Sequence, residues 1–140
     1  MEVGRACIAL EDRNRQVLFL LWKGLAAYVT HNRKRYLFGC CSLTSQDPAE
    51  GLRALRQLDA GGHRHSELCV APRPELECRL PAGVEAGDDK VRIPILFRTY
   101  LRYGAKVCGP PAIDREFKTI DFFVMLDVEA LEPDLYRLYF

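Results

Sequence analysis

The sequence predicts an α/β or α+β domain, and three observations predict it. An apolar strand-like run, a stretch with helical periodicity and a second apolar run follow one another at residues 3–10, 16–34 and 36–43. A helix start with its usual residues stands at Asp47-Pro48-Ala49-Glu50. TIDFFVMLDV, residues 119–128, reads as the strongest strand of the chain.

Each element has its own reason. In residues 3–10 the run Cys7-Ile8-Ala9-Leu10 is apolar throughout, as in a strand covered on both faces. Glu11-Asp12-Arg13-Asn14-Arg15 is a polar turn. The next helix is read from Val17, Leu20, Leu21, Leu25 and Tyr28 at helical spacing. Leu18, Phe19 and Trp22 widen that apolar face, so much of the helix's first half is expected to be buried. YLFGCCSL, residues 36–43, is the next strand, and strand–helix–strand at this length predicts a right-handed parallel crossover. The helix opened by Asp47 should run to about residue 58 and stop at Gly61-Gly62.

Residues 60–92 are rich in Pro, Gly and charge and read as a long irregular loop within a single domain spanning 1–140. A helix over 95–103 ends at Gly104, and a short strand covers 105–108. Gly109-Pro110-Pro111 forces a turn or bulge before the strand at 119–128, and residues 129–136 close the chain as a short helix.

Composition narrows the function. With 49% hydrophobic and 28% charged residues the chain is globular, and a net charge of +1 offers no bulk attraction for nucleic acid. The basic run His31-Asn32-Arg33-Lys34-Arg35 reads as a solvated helix end rather than an anion site. Six cysteines include no CxxC pair, and the three histidines have no ligand spacing to them, so no metal site is expected. Reduced thiols and a cytoplasmic location follow. The apolar run at residues 17–21 is far short of the roughly 20 residues a bilayer span needs.

Three places could carry chemistry. Backbone N–H groups at a helix start beside Arg13, Asn14, Arg15 and Gln16 make an anion site by geometry, against the alternative of a solvated turn. Glu2, at the edge of an apolar sheet, could serve as a general base, or could pair with a neighbouring strand; Arg5, three residues on, points to the opposite face. Asp114 and Asp121 bracket the turn that feeds the strongest strand, with pairing to Arg115 or Lys118 as the structural alternative. Ser42 and Cys41 lack a nucleophile elbow and a nearby histidine, so covalent catalysis ranks low.

Three stretches, EVGRACIALEDRNRQVLFLLWKGLAAY, RYLFGCCSL and YLRYGAKVCGPPAIDREFKTIDFFVMLD, together resemble the hemolysin-like N-acyltransferases. That group includes ornithine-lipid-type and N-acyl amino acid synthases and is related to the GNAT superfamily and to the acyl-homoserine-lactone synthases. The resemblance implies the C-terminal portion of a GNAT-like fold, a central mixed sheet flanked by helices, with the N-terminal part lacking. It implies transfer of a long-chain acyl group to a primary amine such as ornithine. The donor would be a thioester of acyl carrier protein, or CoA, used as co-substrate with no permanently bound cofactor.

On that template Arg13, Asn14, Arg15, Gln16 and Val17 correspond to the pyrophosphate loop, although two glycines of the general loop are absent here. Glu2 and Arg5 match a Glu-x-x-Arg segment, which makes Glu2 the acceptor of the amine proton and gives Arg5 a part in catalysis. Asp114, Phe117, Thr119 and Asp121 match a C-terminal motif and would shape the acceptor pocket. The implied partners are acyl carrier protein and a small amine or amino acid, with peripheral contact to a bacterial inner membrane left open and no nucleic acid. Two other readings stand beside it: a truncated, inactive remnant that binds acyl carrier protein, and a lactone-synthase-like enzyme using S-adenosylmethionine.

Overall fold

A computed structural model describes residues 1–4 and 7–140. Its organising element is the predicted strong strand, β4 (Thr119–Asp127), which pairs with strands on both edges. On one edge lies β1 (Tyr36–Leu43), antiparallel from Tyr36 opposite Asp127 to Leu43 opposite Ile120. On the other lie β2 (Lys106–Val107) and β3 (Ala112–Asp114), both antiparallel to β4. Gly109-Pro110-Pro111 separates them: φ at Gly109 is +145°, and a Cβ there would stand 2.0 Å from the Val70 carbonyl oxygen. The sequence predicted β2 and the interruption; β3 was not foreseen.

Alternation along β1 and β4 decides where the core sits. Leu37, Cys41 and Leu43 of β1 share a buried face with Ile120, Phe122, Val124 and Leu126 of β4. Three helices cover that face: α1 (Arg15–His31) through Val29, α2 (Pro48–Ala60) through Ala54 and Leu58, and α3 (Ile95–Arg102) through Phe97 and Leu101. Ile120 and Phe122 are wholly buried, each contributing about 1.5–3 kcal/mol through loss of apolar surface. The other face, with Thr119, Asp121, Phe123 and Met125, is only half-buried. The layout is α+β and compatible with a GNAT-like acyltransferase.

The helix starts obey their local chemistry. Asp47 caps α2 by accepting from the Ala49 N–H at 2.9 Å, Pro48 takes the first position, and Gly61 ends the helix. α3 stops before Gly104, at φ +91°. The terminal helix begins later than the sequence suggested. Val128–Ala130 is a 3₁₀ turn, and α4 (Pro133–Tyr139) starts at a proline that could not have sat in a helix interior. No helix among the described residues is long and apolar enough to cross a membrane.

Two expectations need correction. The predicted strand over residues 3–10 is confined to its first step. Glu2 forms a parallel bridge with Phe38, the Val3 N–H donates to the Phe38 carbonyl at 2.7 Å, and the Phe38 N–H donates to the Met1 carbonyl at 3.0 Å. Among the described residues beyond this none pairs with β1, and Leu10–Asp12 is a 3₁₀ turn. Apolar character alone does not make a strand; a ladder needs an edge to pair with, and here the two segments diverge. The predicted parallel crossover is therefore this bridge. The first half of α1 is also less buried than its pattern implied: only Ala26 and Val29 are buried, while Leu20 and Leu21 are exposed.

Arg35, the last residue of the basic run, clasps the end of the sheet. It donates from Nε and Nη2 to Asp127 at 3.0 and 2.7 Å, and Nη1 lies 2.9 Å from Glu129. The hydrogen bonds from Arg35 hold the Asp127 carboxyl below the usual carboxylate range. Asp127 then contributes stability that is present above its unfolded pKa and is lost as pH falls through the lower folded value. Asp127→Asn should therefore lower the melting temperature most near neutrality, and the gap to the parent should narrow below roughly pH 4. Thermal melts from acid to neutral pH would check it.

Gly39 supplies a second test. A Cβ there would lie 2.3 Å from the Val3 carbonyl oxygen, so Gly39→Ala must push the N-terminal segment off β1. Amide exchange at Val3 and Phe38 should accelerate strongly while the β1–β4 ladder stays protected; unchanged protection at Val3 would refute the close approach.

Candidate functional site

Past the bridge that residues 1–3 make with β1, a cleft opens along the strand's edge. Phe38 directs its N–H and C=O toward the N-terminal segment, so by alternation Cys40 and Ser42 direct theirs to the same edge, past the end of the pairing. Val3, Gly4 and Cys7 form one lip. Leu18, Leu21, Trp22 and Leu25 of α1 form one wall, and Leu96, Phe97 and Tyr100 of α3 another. Leu37, Cys41, Val124 and Leu126 are the floor. The cleft measures about 560 Å³, within the range of small-molecule sites.

Its chemistry is uniform: among the described residues no lining side chain is charged. Burial pushes the Cys41 thiol up to about 12, with Cys40 and Asp121 adding to the effect. Burial likewise pushes the Tyr100 hydroxyl up to about 12. Both groups are neutral at physiological pH, so the lining is apolar and uncharged among the described residues.

The opposite face of the same strands is acidic. Ser42 stands across from Asp121, and Cys40 from Phe123. The Cys40 thiol is raised first by burial and then by the negative field of Asp121, Glu2 and Asp114, so the three predicted carboxylates surround one side of β1. The Glu2 side chain is exposed at the point where the two segments part. Asp121 Oδ1 and Thr119 Oγ1 are buried without a hydrogen-bond partner among the described residues. Asp114 is committed to its turn, its Oδ1 accepting from the Glu116 and Phe117 N–H groups at 2.9 and 2.8 Å. Phe117 is 65% exposed. Arg115 donates to the Glu75 carbonyl at 3.1 Å, and no ion pair joins Arg115 or Lys118 to either aspartate among the described residues.

The predicted loop is partly self-satisfied. Asn14 is the N-cap of α1, its Oδ1 accepting from the Val17 N–H at 3.0 Å. Arg13 donates to the Ile8 carbonyl at 3.0 Å, closing the turn that precedes the helix. Of the five loop residues, Arg15 and Gln16 keep the first helical amides, which have no carbonyl within the helix to bond. Arg5 lies outside the described residues. Sequence reasoning missed the α3 wall, because only the tertiary fold brings Phe97 and Tyr100 over Leu37 and Cys41. Gly39, flanked by apolar residues inside a strand, was a legible sign of close backbone approach.

The chain is 31% identical over 132 residues to the L-ornithine N(alpha)-acyltransferase of Rhizobium meliloti, covering 91% of this chain and 45% of that protein. It is 30% identical over 146 residues to the protein of the same name from Brucella abortus, covering 94% and 48%. With that of Rhodobacter capsulatus it shares 31% over 137 residues, covering 94% and 51%. No family model matches the chain. No solved structure matches it. The chain spans about half the length of these curated relatives, and nearly all of its own length is similar to part of theirs.

Proposed function

We propose that this chain carries the acyl-binding part of an N-acyltransferase that moves a long-chain acyl group from a thioester to the amine of an amino acid such as ornithine. One observation carries the reading. The free edge of β1 at Cys40 and Ser42 separates a neutral apolar cleft from a face bearing Glu2, Asp114 and Asp121. An acyl chain suits the first environment and an ammonium the second. A thioester carbonyl at that edge would have hydrocarbon on one side and the amine on the other. The names of the relatives point the same way.

In this reading Glu2 takes a proton from the acceptor ammonium, directly or through water. The freed amine attacks the thioester carbonyl, forming the C–N bond and placing negative charge on the carbonyl oxygen. Free main-chain N–H groups along the β1 edge stabilise that charge. Collapse breaks the C–S bond and releases the thiol, while the second amine proton passes to the departing thiolate or to solvent. Arg13, Arg15 and the open amides of α1 bind the phosphate of the donor's phosphopantetheine arm. Acyl carrier protein is the natural donor because the loop lacks the glycines that bring a free pyrophosphate close. Asp121 and Thr119 line the acceptor side with unsatisfied oxygens, beside Asp114 and Phe117. The amphiphilic product places the reaction at the cytoplasmic membrane surface, with exposed Leu21 and Leu96 at the cleft rim toward the lipid.

Incubation of the chain with a long-chain acyl carrier protein and L-ornithine, followed by mass spectrometry, should reveal the N-acyl product. Glu2→Gln should reduce kcat about 100-fold or more, the scale of general base catalysis. Arg13→Ala/Arg15→Ala should instead raise KM for the carrier thioester. No acyl-amine from folded protein would overturn catalysis by this chain. Retained carrier binding in that case would leave the reading in which the chain is an acyl-carrier-binding module.

A further inference from the structure

α1 hands over to β1 through the turn at residues 32–35, so along the cleft Leu25 and Leu37 lie nearest that turn and Leu18 and Ser42 farther from it. Trp22, Leu25, Leu37 and Leu126 form a wall with two sides. One side faces the 560 Å³ cleft, and the other faces a second apolar void of about 10 Å³, backed by Tyr103, Leu135 and Tyr139. Of the wall residues, Trp22 is the largest and the only aromatic.

The indole is locked in place. It stands edge-on to Tyr100 and Tyr103, with ring centroids 5.4 Å away in each case, and 6.0 Å from Tyr139. The hydroxyls of Tyr103 and Tyr139 lie 2.8 Å apart, tying the residue that ends α3 to α4. A ring held by three others cannot swing aside for a longer ligand without breaking those contacts.

We propose that Trp22 is the stop that ends the acyl-binding cleft and so sets the length of acyl chain this protein accepts. The proposal rests on the acyltransferase reading for its biological meaning, but the occupant follows from the cleft itself. A methylene is about the size of a water, whose share of liquid volume is roughly 30 Å³, so the cleft has room for a chain well beyond ten carbons. Among the described residues the lining carries no charge, which suits a hydrocarbon chain and leaves an amino acid's charges unmatched. Replacing the indole by a methyl group merges the cleft with the void behind it and adds the volume of the ring.

Trp22 is the only tryptophan of the chain, so its fluorescence reports on this one place. Fatty acids carrying bromine near the carboxyl, at mid-chain or near the methyl end would be titrated into the parent protein. Bromine quenches on near contact, so methyl-end bromine should quench several-fold more than carboxyl-end bromine. Equal quenching along the chain, strongest quenching near the carboxyl, or no quenching at all would overturn the proposal. Displacement of a fluorescent fatty acid would then rank chains of different length against Trp22→Ala and Trp22→Phe. Trp22→Ala should shift the preference toward longer chains by about tenfold or more, the scale that a methylene or two carries in an apolar pocket. Trp22→Phe should keep the parent ranking. An unchanged ranking in folded Trp22→Ala, or an equal shift in Trp22→Phe, would overturn it. Positional quenching without any acyl transfer would sink the acyltransferase reading alone, and transfer to ornithine without positional quenching would sink the Trp22 assignment alone.

Discussion

The antiparallel ladder between β1 and β4 is the constraint from which the rest of the molecule takes its position. It fixes the register from Tyr36–Asp127 to Leu43–Ile120, and a slip of one residue would exchange every side chain between the two faces. With the register set, Leu37, Cys41 and Leu43 must face the helices, and Cys40 and Ser42 must face the acidic side. Arg35 holds one end of the ladder through Asp127 and Glu129. Gln46 holds the other, donating from Nε2 to the Asp114 and Thr119 carbonyls at 3.0 and 3.2 Å. Because β1 has only one full partner, its other edge is left to the N-terminal residues, and the cleft is what they fail to cover.

Electrostatics explains why the two sides of that edge differ so sharply. On the helix side the sheet is packed against apolar residues, and burial keeps the Cys41 and Tyr100 protons on. On the other side Asp121, Glu2 and Asp114 each add negative field at the Cys40 thiol. A transferase that joins a hydrocarbon to a charged amino acid needs two such environments within a bond length of each other. A single strand edge is the thinnest partition a protein has.

Much of the fold was legible because local chemistry and tertiary packing agree. Asp47-Pro48 marks α2, Gly104 ends α3, and TIDFFVMLD alternates so regularly that β4 could be read directly. The misses share a cause. The run at residues 3–10 has strand composition, but pairing is a property of two segments, and the sequence cannot show that they part after Val3. The greasy first half of α1 looked like core because periodicity does not distinguish a helix packed against protein from one that walls a cleft. The site followed the same rule. Glu2, Asp114 and Asp121 were legible as candidate residues, and their grouping around Cys40 needed the register. Asn14, read as part of an anion loop, caps α1 through its Oδ1. Trp22, read as a core residue, gained its place only when α3 and α4 closed around it.

Cys40 and Cys41 are neighbours in the chain and both border the cleft, but their side chains point to opposite faces of β1, Cys40 exposed and Cys41 buried. A bond between their sulfurs would require both Cβ vectors to converge, which the pleat of β1 forbids while it is paired with β4. An oxidant would have to peel the strand away before it could join them. The reduced state of this vicinal pair is thus guarded by the same ladder that separates the cleft from the acidic face, and an oxidised pair would mark a molecule whose partition had already been lost.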